Sequence, residues 1–229
     1  MSQTAKLFKH FIKVQRNRLV GGLSFWILAA WVISIVFHPL LMPTFLHAVV
    51  FKYCTDLVPL TRQAKIQMME FIFVTTCVIP AMATGLLWVT GIISSLSLEK
   101  RSERLIPLLV TGLIYTGVSY VFLEYLDMAR ILGLFMGTVA LTVILTAGIT
   151  HFWKISSHMV GVGGLVGFML AVINETKNSA LFGPLVAAIL VAGAVASARL
   201  LLNAHTMIQV VAGFFFGLTI SWAAVHFFV

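Results

Sequence analysis

The sequence predicts an all-α protein, a polytopic bundle of about seven transmembrane helices. Three observations predict it. The 229 residues are 60% hydrophobic and only 10% charged, with a mean hydropathy of +1.05. A soluble domain of this size has too little interior to hide so much apolar surface. The apolar residues fall into long runs, each near the ~20 residues that a helix needs to cross a bilayer core. The runs are continuously apolar, whereas the strands of a membrane barrel alternate.

In chain order, residues 1–18 read as a basic amphipathic arm. Lys6, Lys9, Lys13 and Arg16 recur every three or four residues among Leu7, Phe8, Phe11, Ile12 and Val14, the pattern of a helix on a membrane surface. Residues 19–229 form a single transmembrane domain. Its first span, 19–37, runs into H-P-L-L-M-P-T, where Pro39 and Pro43 require a kink or a re-entrant bend. His38 is expected to bond a carbonyl freed by that kink rather than to line a cavity. Residues 52–67 read as a loop. The second span, 68–96, carries Pro80 and Gly85 as kink candidates and ends in the densest charge cluster of the chain, 98–107.

Spans at 105–125 and 131–149 follow, then H-F-W-K-I-S-S-H at 151–158. The fifth span, 159–173, contains Gly163 and Gly167, a small-xxx-small pair that lets a neighbouring helix approach closely. The sixth occupies 180–196 and the seventh runs from 210 to the end. Between them lies S-A-R-L-L-L-N-A-H-T-M-I-Q, 197–209, with polar groups where a span would carry Leu or Val. His205 and Gln209 are four residues apart and share a helical face. Arg199, six residues before His205, reaches the same place only if the helix breaks near Asn203. Cys54 and Cys77, one in a loop and one in a span, predict no disulfide framework.

Two spans separate the 98–107 patch from 151–158, and two more separate that from 197–209. An even number of crossings returns the chain to the same face, so the three patches meet one membrane surface together with the N-terminal arm. They bring Lys100, Arg101, Arg104, Lys154 and Arg199 to that face with Ser156, Ser157, His158 and His205. Fixed cations of this kind neutralise phosphate oxygens as charge develops, and two imidazoles can act as nucleophile and general acid. The plainer alternative is basic residues gathered at lipid headgroups. The net charge of +8 predicts contact with membrane lipids and an anionic substrate, not with nucleic acid.

The order and spacing resemble the type 2 phosphatidic acid phosphatase superfamily, over about residues 98–217. Its last motif, S-R-x5-H-x3-D, aligns with Arg199, His205 and Gln209. Its middle motif, P-S-G-H, aligns with Ser156-Ser157-His158. The first, K-x6-R-P, is matched only loosely by K-R-S-E-R-L-I-P, with Arg104 three residues before Pro107. The resemblance implies that His205 is phosphorylated by the substrate and that His158 protonates the leaving oxygen. It implies that Arg199 and Arg104, with Lys100 or Arg101, cradle the phosphate while Ser156 donates to it; Lys154 and Ser157 complete the phosphate-binding candidates. It implies hydrolysis of a lipid monophosphate or pyrophosphate in a bacterial inner (cytoplasmic) membrane, without metal or cofactor. Gln209 stands where the family has Asp, and Ser157 where it has Gly. A phosphotransferase and a catalytically degenerate lipid-binding protein are therefore kept as alternatives. A carrier is disfavoured, since no span interior holds an acidic ion site. Ten of the fifteen Lys and Arg lie on the motif side, which points to the cytoplasm by the positive-inside rule; members of the family often work on the outer face.

Overall fold

A computed structural model describes residues 24–98, 100–125 and 130–228. The N-terminal arm and Glu99 lie outside the described residues. Among the described residues the chain is helical with no strand, and seven helical stretches are long and apolar enough to cross a membrane. Helix α1 covers 24–36. A 3-10 turn, Pro39–Leu41, leads into α2, Met42–Tyr53. Helix α3, Arg62–Phe73, passes through a π-helical segment, Val74–Val78, into α4, Ile79–Val89. Then come α5, Leu105–Tyr125, α6, Arg130–Phe152, α7, Ser157–Thr176, α8, Phe182–Leu201, and α9, Met207–Phe228.

The prolines explain two of the irregularities. After α1 ends at 36, Pro39 holds His38 in extended backbone (ψ 141°), which turns the chain, and Pro43 sits in the first turn of α2, where its missing N–H costs nothing. Pro80 has no N–H to give the Thr76 carbonyl, one turn back. The helix widens to π geometry just before it, and the buried Tyr115 hydroxyl donates to the Thr76 carbonyl at 2.7 Å. A freed carbonyl in the membrane is thus satisfied by a neighbouring helix.

Two helix pairs form the frame. In α7 and α9, Gly163 and Gly167 lie against the backbone carbonyls of Phe214 and Leu218, and Gly217 lies against that of Val160. A Cβ at any of the three would collide with main chain, so the small-residue pair is a close-approach surface as expected. In α5 and α6, Gly112 faces Ile144, Gly133 faces Leu123, and Ser119 donates to the Gly133 carbonyl at 2.7 Å.

Loop contacts sort the helix ends onto two faces. On one, Asn178 donates to the Tyr53 carbonyl (2.7 Å) and Glu175 meets His226 (2.8 Å). On the other, Arg101 donates to the Phe152 carbonyl and the Ser156 N–H reaches the Gln209 carbonyl (3.4 Å). This second face carries all three polar patches. It also holds Ser34, which contacts both Arg199 and His158. The first candidate span therefore runs further than expected, over Ser24–Tyr53 and through the elbow rather than ending at 37, with Phe25, Trp26, Leu28 and Trp31 of α1 exposed. The 52–67 loop is likewise shorter than expected, because the Thr61 hydroxyl caps α3 by accepting from the Ala64 N–H.

Candidate functional site

The site begins with the break that Arg199 and His205 required. Helix α8 closes with the Leu202 and Asn203 N–H groups bonded back to Ala198 and Leu200. Asn203 then takes a left-handed conformation (φ 51°), which Asn tolerates better than most residues. Arg199, in the last turn of α8, and His205, just beyond it, line one cavity.

Helix α9 then starts on a capping box. The Gln209 N–H approaches the Thr206 hydroxyl at 3.5 Å, and the Thr206 N–H donates to Gln209 Oε1 at 3.2 Å. That second bond fixes the orientation of the carboxamide, because a backbone N–H needs an acceptor. The same Oε1 lies 3.1 Å from His205 Nδ1. Nδ1 must therefore carry the ring proton, which leaves Nε2 with a free lone pair. Burial, first, and then the Arg104 guanidinium lower the His205 pKa to about 4, with smaller effects of the same sign from Arg199 and Lys154, while the bond to Gln209 opposes them. At neutral pH the ring is uncharged, with its lone pair on Nε2.

Two guanidinium groups flank it. Arg104 follows a 3-10 turn, Arg101–Glu103, and its Nε donates to the Leu98 carbonyl at 2.7 Å. Arg199 donates from Nη1 to Ser34 Oγ at 3.2 Å, and its buried Nε has no partner. Ser156, at the N-terminus of α7, is fully buried with its hydroxyl likewise unpartnered. Buried donors without acceptors are costly. His158, one residue into α7 after Ser157, has Nε2 3.0 Å from the Ser34 carbonyl. That carbonyl can only accept, so His158 keeps Nδ1 for the cavity.

The structure brings His205, Arg199, Arg104, Ser157 and His158 to one cavity, with Gln209 bonded to His205 and Lys154 within electrostatic range of it; Ser156 is buried outside the cavity lining, joined to Gln209 only by its backbone N–H. It does not bring Lys100 or Arg101. Lys100 is exposed and pairs with Glu103 (3.3 Å) and Ser94, and Arg101 is spent on the Phe152 carbonyl. Glu103 is held by the Ser94 N–H and hydroxyl and does not line the cavity. His38 departs from its expected role as well. It lines the cavity, with its ring edge-on to His158 at 5.4 Å between centroids, and its Nδ1 accepts the Leu40 N–H. Sequence reasoning missed Ser34, whose only signal was a hydroxyl inside an apolar run, and Thr206, which stands three residues before a Gln.

Behind these groups lies a cavity of about 410 Å³. It extends from His38, Arg104, Arg199 and His205 along α2, α4, α5, α6 and α7 as far as Leu46, Tyr115, Val139 and Leu165. Among the described residues no group of three His, Cys, Asp or Glu side chains is arranged to hold a metal ion. No protein-family model matches the chain, and neither a curated protein nor a solved structure matches it.

Proposed function

We propose that the protein is a membrane phosphatase that hydrolyses a lipid phosphate through a phosphohistidine, as the resemblance to the type 2 phosphatidic acid phosphatases implies. The observation that carries this reading is His205. It is neutral, its Nδ1–H is held by Gln209, and its Nε2 is free beside Arg104 and Arg199.

In the first step His205 Nε2 attacks phosphorus and the bond from phosphorus to the lipid oxygen breaks. Protonated His158 gives its Nδ1 proton to that oxygen, so the lipid leaves as an alcohol, or as a phosphate if the substrate is a pyrophosphate. Arg104 and Arg199 take the equatorial oxygens. In the second step water attacks the phosphohistidine, now-neutral His158 accepts its proton, and inorganic phosphate leaves. The apolar cavity that continues from these groups into the bundle favours a lipid over a soluble ester.

A panel of lipid phosphates presented to the purified protein tests the reading by release of inorganic phosphate. Turnover lost in His205→Ala, together with an acid-labile phosphoenzyme in the wild type, is the expected result. One observation favours a second reading, a protein that binds lipid phosphates without turning them over. Gln209 offers the ring no negative charge. That reading predicts lipid binding, no phosphate release from any variant, and little change in affinity for His205→Ala.

A further inference from the structure

We propose that Ser34 is a positioning residue for the phosphate seat. Its hydroxyl holds the Arg199 guanidinium and its main-chain carbonyl holds the His158 ring, so that α1 is a fourth element of the site beside the three polar patches. This rests on Arg199 and His158 having the roles given under Proposed function.

The carbonyl is made available by the way α1 ends. In a continuing helix it would accept the His38 N–H, four residues on. Pro39 disfavours the helical conformation at His38 and has no N–H to give the Ile35 carbonyl. The last turn tightens, and the His38 N–H goes to Ile35 instead, at 3.2 Å. The Ser34 carbonyl is thereby released from the helix. An unpaired carbonyl is costly inside a membrane, and His158 Nε2 lies 3.0 Å from it. The proline that bends the chain thus also supplies the acceptor that fixes the ring and its tautomer.

The hydroxyl is placed by the face of α1 that meets the bundle. Phe25, Leu28, Trp31, Val32 and Ile35 are exposed, whereas Ala30 and Ser34, one turn apart, are only 3% and 4% exposed. A buried position beside Ala30 on an otherwise apolar helix would suit another alanine. The residue there is Ser, and its Oγ accepts from Arg199 Nη1 at 3.2 Å. Among the described residues this is the one hydrogen bond of that guanidinium, and no carboxylate pairs with it. Arg199 also lines the cavity. Without the tether a long side chain would have to be ordered by the phosphate itself, and ordering such a side chain on binding weakens affinity by about 2- to 12-fold.

The two tethers separate in a side-chain variant. Ser34→Ala removes the hydroxyl and keeps the carbonyl, so Arg199 loosens while His158 stays held. KM rises and kcat changes little. A residue that only packed α1 against the bundle would move both together, because both contacts depend on where α1 sits.

The test is a double-mutant cycle on purified full-length protein in mixed micelles, with phosphate release from dioleoyl phosphatidate and dodecyl phosphate as the readout. Ser34→Ala should raise KM about 3- to 10-fold with kcat within about twofold of wild type. Arg199→Lys has already lost its reach to Ser34, so adding Ser34→Ala to it should raise KM by no more than about 1.5-fold. Equal KM factors in the two backgrounds, or a fall in kcat as large as the rise in KM, overturn the proposal and leave the hydrolase reading standing. If the wild type releases no phosphate from either probe, the hydrolase reading fails on its own. The cycle is then read in the Kd for dodecyl phosphate by calorimetry. The same non-additive pattern supports Ser34 as a positioning residue, and additive losses, or a wild type that does not bind the probe, overturn it.

Discussion

Replacing Gln209 by Glu is the sharpest perturbation of the site, because it changes charge at constant length. Both bonds to Oε1, from His205 Nδ1–H at 3.1 Å and from the Thr206 N–H at 3.2 Å, survive in a carboxylate, and Glu serves the capping box as well as Gln does. What changes is the field on the ring. At an effective dielectric of about 20, a unit negative charge about 4 Å from the imidazole contributes about 4 kcal/mol, or about three pKa units. The arginines absorb part of that. The His205 pKa should therefore rise from about 4 to roughly 6 to 7. The sign follows from the nucleophile being the neutral ring. On its acid side, wild-type kcat/KM falls as pH drops through about 4. The acid limb of Gln209→Glu should lie about two units or more higher on the same substrate, so that the ionisation of the phosphate itself is common to both profiles. At pH 8, where both rings are neutral, the carboxylate also stabilises the cationic phosphohistidine, and the rate should rise by about 10-fold or more. An unmoved acid limb, or a slower Gln209→Glu enzyme with an unchanged Tm, would refute the assignment of His205 and Gln209 as a working pair.

Gln209→Leu removes both bonds at once; turnover should fall about 10- to 100-fold, and Tm should drop with the lost cap. Arg199→Lys loses the planar donor fork and its reach to Ser34, so KM for a lipid phosphate should rise about tenfold or more with a folded protein. Tyr115→Phe leaves the Thr76 carbonyl unpaired inside the membrane, a loss of about 1–3 kcal/mol read by chemical or thermal unfolding. Gly167→Ala drives a Cβ into the Leu218 carbonyl and should destabilise by about 1–3 kcal/mol; Gly85→Ala, with open space around it, should be neutral or stabilising by up to about 1 kcal/mol.

Much of this architecture is legible without coordinates because the bilayer imposes it. Apolar run length gives the seven spans, and parity alone brings 98–107, 151–158 and 197–209 to one face. The six-residue spacing of Arg199 and His205 demanded a break, and Asn203 supplies it at φ 51°. What hydropathy cannot give is depth. Residues 24–53 are apolar almost throughout, so the prolines mark an elbow but not its level. Only the contacts of Ser34 with Arg199 and His158, across more than a hundred residues of chain, place it beside the site. Lys100 and Arg101 misled for the opposite reason. Proximity in sequence to Arg104 does not decide where a long side chain goes when Glu103, Ser94 and the Phe152 carbonyl are nearer partners.

If the protein is the phosphatase proposed above, Gln209 in the place of that family's Asp has a further electrostatic consequence. Among the described residues no Asp or Glu lines the cavity, while Arg104 and Arg199 do and Lys154 acts on His205 from nearby. A family-type Asp would neutralise part of that field at all times. Here the counter-charge arrives only with the ligand. A phosphate dianion between the guanidinium groups cancels the effects that, after burial, depress the His205 pKa, and it leaves the bond to Gln209, which raises it. The pKa should therefore move up on binding, so the ring becomes easier to turn into a cation when there is phosphate for it to attack. In that arrangement the substrate takes over part of what the carboxylate does elsewhere. On the proposed reading the free site favours an anion, and the occupied one shares charge with His205.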